Sequence, residues 1–76
     1  MNMQRRKRIE KVGKNLEEHL EEITAIQEEE QDAFDNLTES IQDSWRGQVM
    51  ENAVDCLESV VSNIEEAIEC LSQAME

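Results

Sequence analysis

An all-α fold, an antiparallel helical hairpin with a short middle helix, is predicted by three features of this 76-residue sequence. The chain has no proline and only two glycines, and it is rich in Glu, Gln, Leu, Ile and Ala, the composition of long helices and not of a sheet. Over residues 50–75, apolar side chains fall at Met50, Val54, Leu57, Val61, Ile64, Ile68, Leu71 and Met75, in steps that alternate four and three. An α-helix returns to one face about every 3.6 residues, so these side chains form a single stripe that something apolar must cover. Residues 33–47 interrupt the periodicity with turn and cap residues, which places a break between two long helices.

The first element is a basic arm, residues 1–8, with Arg5, Arg6, Lys7 and Arg8 consecutive. Positive charge at a helix N-terminus opposes the macrodipole, so the first turn is expected to fray and the helix to become firm near Ile9. The arm could pair with the Glu-rich remainder of the protein, or touch nucleic acid. The first long helix, residues 9–33, carries a stripe of Ile9, Val12, Leu16, His19, Ile23 and Ile26, widened by Leu20. Gly13 within it is a weak spot or a place of close backbone approach.

Phe34, Leu37 and Ile41 keep helical spacing, while Asn36 and Glu39 have the spacing of a capping box. A short helix over residues 37–43 is expected, followed by Ser44 as the cap of the last helix, residues 45–75. Trp45 either covers the end of the core or stands exposed as a binding anchor. Ala53, Val60, Ala67 and Ala74, spaced by seven, widen the apolar face of this last helix and would let a neighbouring helix approach closely. Cys56 and Cys70 occupy the same boundary position two heptads apart and are expected to be half-buried.

A chain this small buries little surface on folding. A lone hairpin also leaves part of the wide 50–75 stripe in water, whereas two hairpins packed face to face would bury both stripes in a four-helix bundle. A homodimer is therefore expected, with Met50, Val54, Leu57, Val61, Ile64, Ile68, Leu71 and Met75 forming its core. The two cysteines lie about 21 Å apart along one helix, beyond the reach of a bond within the chain. They are read as free thiols in a reducing, cytoplasmic compartment, with a bridge between antiparallel subunits as the alternative. The sequence contains no apolar run of signal or membrane length.

The formal net charge is −12, unevenly spread. Residues 1–14 hold six of the seven basic side chains and one acid, Glu10, whereas residues 15–76 set eighteen acids against Arg46, a balance of −17. Such a body resists nucleic acid and anionic membranes and attracts basic protein surfaces. The plainer account is that Glu forms helices well and solubilises an exposed face.

Catalysis is not expected, and no cofactor or metal is implied. A carboxylate-bridged dimetal bundle needs paired Glu-x-x-His motifs, but the only histidine, His19, has Leu16 three residues before it. All-α pyrophosphohydrolases converge acids from two helices on magnesium. Glu17, Glu18, Glu21 and Glu22 imitate one half of that set, and the last helix points aliphatic side chains where the other half is needed. No basic residue follows Arg46 to activate Cys56 or Cys70. With Phe34 and Trp45 the only aromatics, there is no platform for stacking bases.

The stretches Gln4-Arg5-Arg6-Lys7, Glu28-Glu29-Glu30-Gln31-Asp32-Ala33-Phe34-Asp35-Asn36-Leu37, Ser44 through Arg46-Gly47, and Ile64-Glu65-Glu66-Ala67-Ile68 together resemble a group of small acidic all-helical proteins from phages, plasmids and other mobile elements of Gram-positive bacteria. Members of that group often carry proline at the position of Thr38 and an acid at that of Trp45, which makes Trp45 peculiar to this chain. The resemblance implies a mobile-element setting and supplies no catalytic residues. In that setting a dense acidic face can imitate the nucleic-acid backbone and occupy the basic groove of a host nuclease or DNA-binding protein. The expected partner-binding residues are Glu17, Glu18, Glu21, Glu22, Glu28, Glu29, Asp32 and Trp45. The leading expectation is thus an anti-defence protein-binding module. A structural or adaptor dimer is the second, and a small nucleic-acid-associated regulator using the basic arm is the third.

Overall fold

The computed structural model describes residues 1–76 as three helices and no strand: α1 (Met3–Asp35), α2 (Glu39–Gln42) and α3 (Trp45–Ala74). The molecule measures 58 × 15 × 13 Å. Its length barely exceeds the roughly 50 Å of α1 at 1.5 Å per residue, so α1 and α3 lie side by side as a thin hairpin. Ile9 near one chain end and Met75 at the other line a common groove, which fixes the pairing as antiparallel.

α1 starts at Met3 and not near Ile9, so Arg5 to Arg8 belong to its first two turns and do not form a separate arm. The Asn2 side chain caps it by accepting the backbone N–H of Arg5 at 2.9 Å. A cap of this kind contributes about 1 kcal/mol, enough to offset the few tenths lost where cations face the dipole. The helix ends at Asn36, whose N–H donates to the carbonyl of Asp32 at 3.0 Å. Asn36 therefore closes α1 instead of opening α2, and Thr38 precedes α2 without a side-chain cap bond. The middle helix spans only Glu39–Gln42, shorter than the expected 37–43. Ser44 does cap α3, accepting from the N–H of Gly47 at 3.4 Å, and its hydroxyl donates to the carbonyl of Ile41.

The closed end of the hairpin is tied together through Gln42. Its side-chain amide donates to the carbonyl of Phe34 at 3.0 Å, joining the end of α2 to the end of α1. The same carbonyl accepts the N–H of Leu37 at 3.1 Å, so one of the carbonyls left open by the helix end has two partners. Gly47 is buried here, packed directly against the backbone of Gln42.

The seam between the long helices differs from the expected one on the α1 side. The half-buried residues of α1 are Ile9, Gly13, Leu16, Leu20, Ile23, Gln27, Glu30 and Phe34, in alternating steps of four and three, with Thr24 beside them, and Leu37 follows just past the helix end. Val12, His19 and Ile26 are exposed, Val12 by 49% and Ile26 by 38%. Both series share Ile9, Leu16 and Ile23 and differ in the residues between. Leu20, expected to widen the stripe, and Phe34 face α3, while Gly13 and Gln27 take the seam positions expected of Val12 and Ile26. Glu30 continues the shared positions Ile9, Leu16 and Ile23.

In α3 the stripe is the expected one, with Met50, Leu57, Val61, Ile64, Ile68, Leu71 and Met75 half-buried and Val54, 7% exposed, the sole buried apolar side chain of the chain. Cys56 and Cys70 are exposed and not half-buried, because each stands two positions past a seam residue, Val54 or Ile68, and turns away from α1.

Candidate functional site

The acidic outer face of α1 is assembled by helical periodicity alone. Once Ile9, Leu16, Ile23 and Phe34 face α3, the residues between them must project outward. Glu17, Glu18, Glu21, Glu22, Glu28, Glu29 and Asp32 are all exposed on that face. From Glu18 to Asp32 the ridge runs about 21 Å along a straight helix. It is not continuous. Ala25 occupies the outward position midway, so the acids fall into one cluster at residues 17–22 and a second at residues 28–32. Glu30 stands apart from its neighbours Glu28 and Glu29, half-buried in the seam.

Trp45 opens α3 and is 79% exposed, so it does not cover the end of the core. The reason is local: Ser44 caps the helix, and the face of the first turn that points inward is taken by Gly47, which the Gln42 backbone already covers. Trp45 thus stands at the closed tip of the rod, at the opposite end from the basic first turns of α1.

The open end has two shallow grooves, on opposite sides of the hairpin. One, of about 270 Å³, is lined by Met1, Arg5, Arg8, Ile9, Val12 and Leu71. The other, of about 320 Å³, is lined by Ile9, Glu10, Gly13, Lys14, Glu17, Ile68, Leu71, Ser72 and Met75. The second includes Gly13, which faces α3 but has nothing within 4 Å of where a Cβ would stand. The close backbone approach expected at a seam glycine therefore does not occur there; it occurs at Gly47.

His19 is exposed, away from the seam. No three Asp, Glu, His or Cys side chains converge to hold a metal ion. No helix is long and apolar enough to cross a membrane.

The periodicity of α1 had signalled the acidic ridge and its residues, whereas the exposed apolar row Val12, His19, Ile26 was hidden by its own resemblance to a seam. Compared with known family models, curated proteins and solved structures, the chain finds no match.

Proposed function

We propose that this protein is a non-enzymatic binding module that presents the outer face of α1 to a basic surface on another protein. The observation that carries the reading is the placement of Glu17, Glu18, Glu21, Glu22, Glu28, Glu29 and Asp32 on the exposed side of a single 33-residue helix, outside a body with a balance of −17. A groove of Lys and Arg built for a polyanion recognises closely spaced carboxylates by the same Coulomb attraction, and salt weakens both. Binding of this kind inhibits a nuclease or DNA-binding protein by occupying its groove, which agrees with the mobile-element setting implied by the resemblance. Trp45, a large side chain in water at the tip, supplies an anchor beside the charged face.

Affinity capture from host lysate at low and high salt tests the reading. The expected result is recovery of a basic nuclease or DNA-binding protein at low salt, its loss at high salt, and its loss when Glu17, Glu18, Glu21 and Glu22 are replaced by lysine. Retention of the same partner by the lysine variant would overturn the proposal.

A second reading, a structural or adaptor dimer forming a four-helix bundle, is supported by a separate observation. With Val54 as its only buried apolar side chain, the hairpin has almost no core of its own. Sedimentation at micromolar concentration tests it, and a mass of 8.8 kDa, that of a single chain, would count against it.

A further inference from the structure

We infer that one side of the hairpin is a docking face for a second copy of this chain, placed antiparallel to the first so that the closed end of each hairpin lies over the open end of the other. The inference rests on the reading of the chain as a helical dimer and adds the face and the direction.

The two flanks of the seam differ in kind. Beside it in α1, the residues one position before Gly13, Leu20, Gln27 and Phe34 are Val12, His19, Ile26 and Ala33. In α3, those one position before Val54, Val61, Ile68 and Met75 are Ala53, Val60, Ala67 and Ala74. Antiparallel pairing puts these two rows on the same side of the hairpin. Val12 accordingly opens on one groove with Arg5, while Glu10, Glu17 and Ser72 line the groove on the other side. One side is thus a mainly apolar row of Val, Ile and Ala with His19 at its middle, of which only Ala53 is half-buried, and the other is polar.

The surface area agrees. The chain exposes 5923 Å², against about 4,800 Å² for a compact monomer of the same mass. The excess, about 1,100 Å², exceeds the roughly 800 Å² per partner that a stable interface buries. Covering one flat side of the rod removes surface of that order.

Charge decides the direction. Two copies can stack on this face with their closed ends together or opposed. Together, the Arg5, Arg6, Lys7, Arg8, Lys11 and Lys14 clusters of both copies would crowd one end, and the acidic remainders would crowd the other. Opposed, each basic end lies over the other copy's acidic half.

Along α1 the residues on the face mate with one another in this arrangement. A two-fold axis at the level of His19 sets Val12 against Ile26 of the second copy, Arg5 against Ala33 and Arg8 near Glu29. In the hairpin register given by Ile9 beside Met75, the same level in α3 is that of Glu65. There the axis sets Ala67 beside Asn63, Val60 beside Cys70 and Cys56 beside Ala74 of the second copy, so that Cys56 and Cys70 of opposite copies lie about 6 Å apart along the axis. The exposed cysteines thereby become reporters of the arrangement.

The experiment combines sedimentation with a short bis-maleimide cross-linker applied to the wild type, Cys56→Ser and Cys70→Ser. The expected result is a dimer by mass for all three, with covalent dimer formed by the wild type and by a mixture of the two variants, but by neither variant alone. Like thiols in the opposed arrangement are separated along the axis by about 27 Å for Cys56 and about 15 Å for Cys70, against about 6 Å for the unlike pair. Covalent dimer from a single-cysteine variant would overturn the opposed direction. A wild type that sediments as a dimer yet resists the reagent would overturn the face while leaving the dimer intact, whereas a monomeric mass would remove both.

A charge exchange checks the same contact independently. Arg8→Glu weakens the dimer roughly threefold to tenfold, as does Glu29→Arg, and the double variant recovers most of the loss. Absence of recovery in the double variant would overturn the pairing of Arg8 with Glu29.

Discussion

A Cβ placed on Gly47 would stand 2.6 Å from the Cα of Gln42 and closer still to its carbonyl, so the end of α2 and the first turn of α3 touch backbone to backbone. Neither partner is a flexible side-chain tip that could move aside, and this contact sets the angle at which the chain turns back.

Gly47→Ala is therefore expected to destabilise the fold by about 1–3 kcal/mol, as overpacking against fixed atoms does, even though alanine is the better helix former. A urea melt gives the measurement. Unchanged or improved stability would mean that the turn relaxes freely.

Gly13→Ala runs the opposite way. The position is in the interior of α1 with nothing within 4 Å of the added carbon, so the helix gains up to about 1 kcal/mol from the propensity difference alone. The same melt should shift to higher urea.

Replacing Gln27 with leucine is expected to stabilise the hairpin by roughly 1 kcal/mol, about half the value of a fully buried leucine, because the site is half-buried in the seam that Leu20, Ile23 and Phe34 share. Glu28→Leu, one residue along and exposed, should leave stability within about 0.5 kcal/mol of wild type. Equal responses at the two sites would contradict the seam assignment.

Ser44→Ala removes the acceptor for the Gly47 N–H and should lower stability by about 1 kcal/mol. The corresponding Asn2→Ala change affects only the chain end and should appear as faster amide exchange at Arg5 with little loss of global stability.

Trp45 gives an optical check. At 79% exposure its emission should be that of a solvated indole, quenched freely by acrylamide, and Trp45→Ala should change stability by less than about 0.5 kcal/mol. Added partner should blue-shift the emission if Trp45 enters an interface.

The helical class, the break near residue 36, the Ser44 cap and the stripe of α3 were legible in the sequence because each rests on local chemistry or on one unbroken period. The stripe of α1 was not, since its residues support two overlapping series that share every second member. Leu20 belongs to both, and only the neighbouring helix sets Gly13 and Gln27 in the seam in place of Val12 and Ile26. The start of α1 was missed for a related reason: dipole repulsion at Arg5 to Arg8 argued for fraying, and the single bond from Arg5 to Asn2 outweighs it. For the acidic ridge, exposure followed from periodicity at every named position. Trp45 was ambiguous between core and surface, and the close fit of Gly47 to Gln42 leaves it outside.

The division of charge along a 58 Å rod also gives the molecule a permanent electric dipole parallel to its long axis. A charged neighbour then exerts a torque before any surfaces meet. A cationic target turns the rod so that the carboxylate half leads, a polyanion turns it the other way round, and the rate of productive encounter falls as ionic strength shortens the reach of that torque.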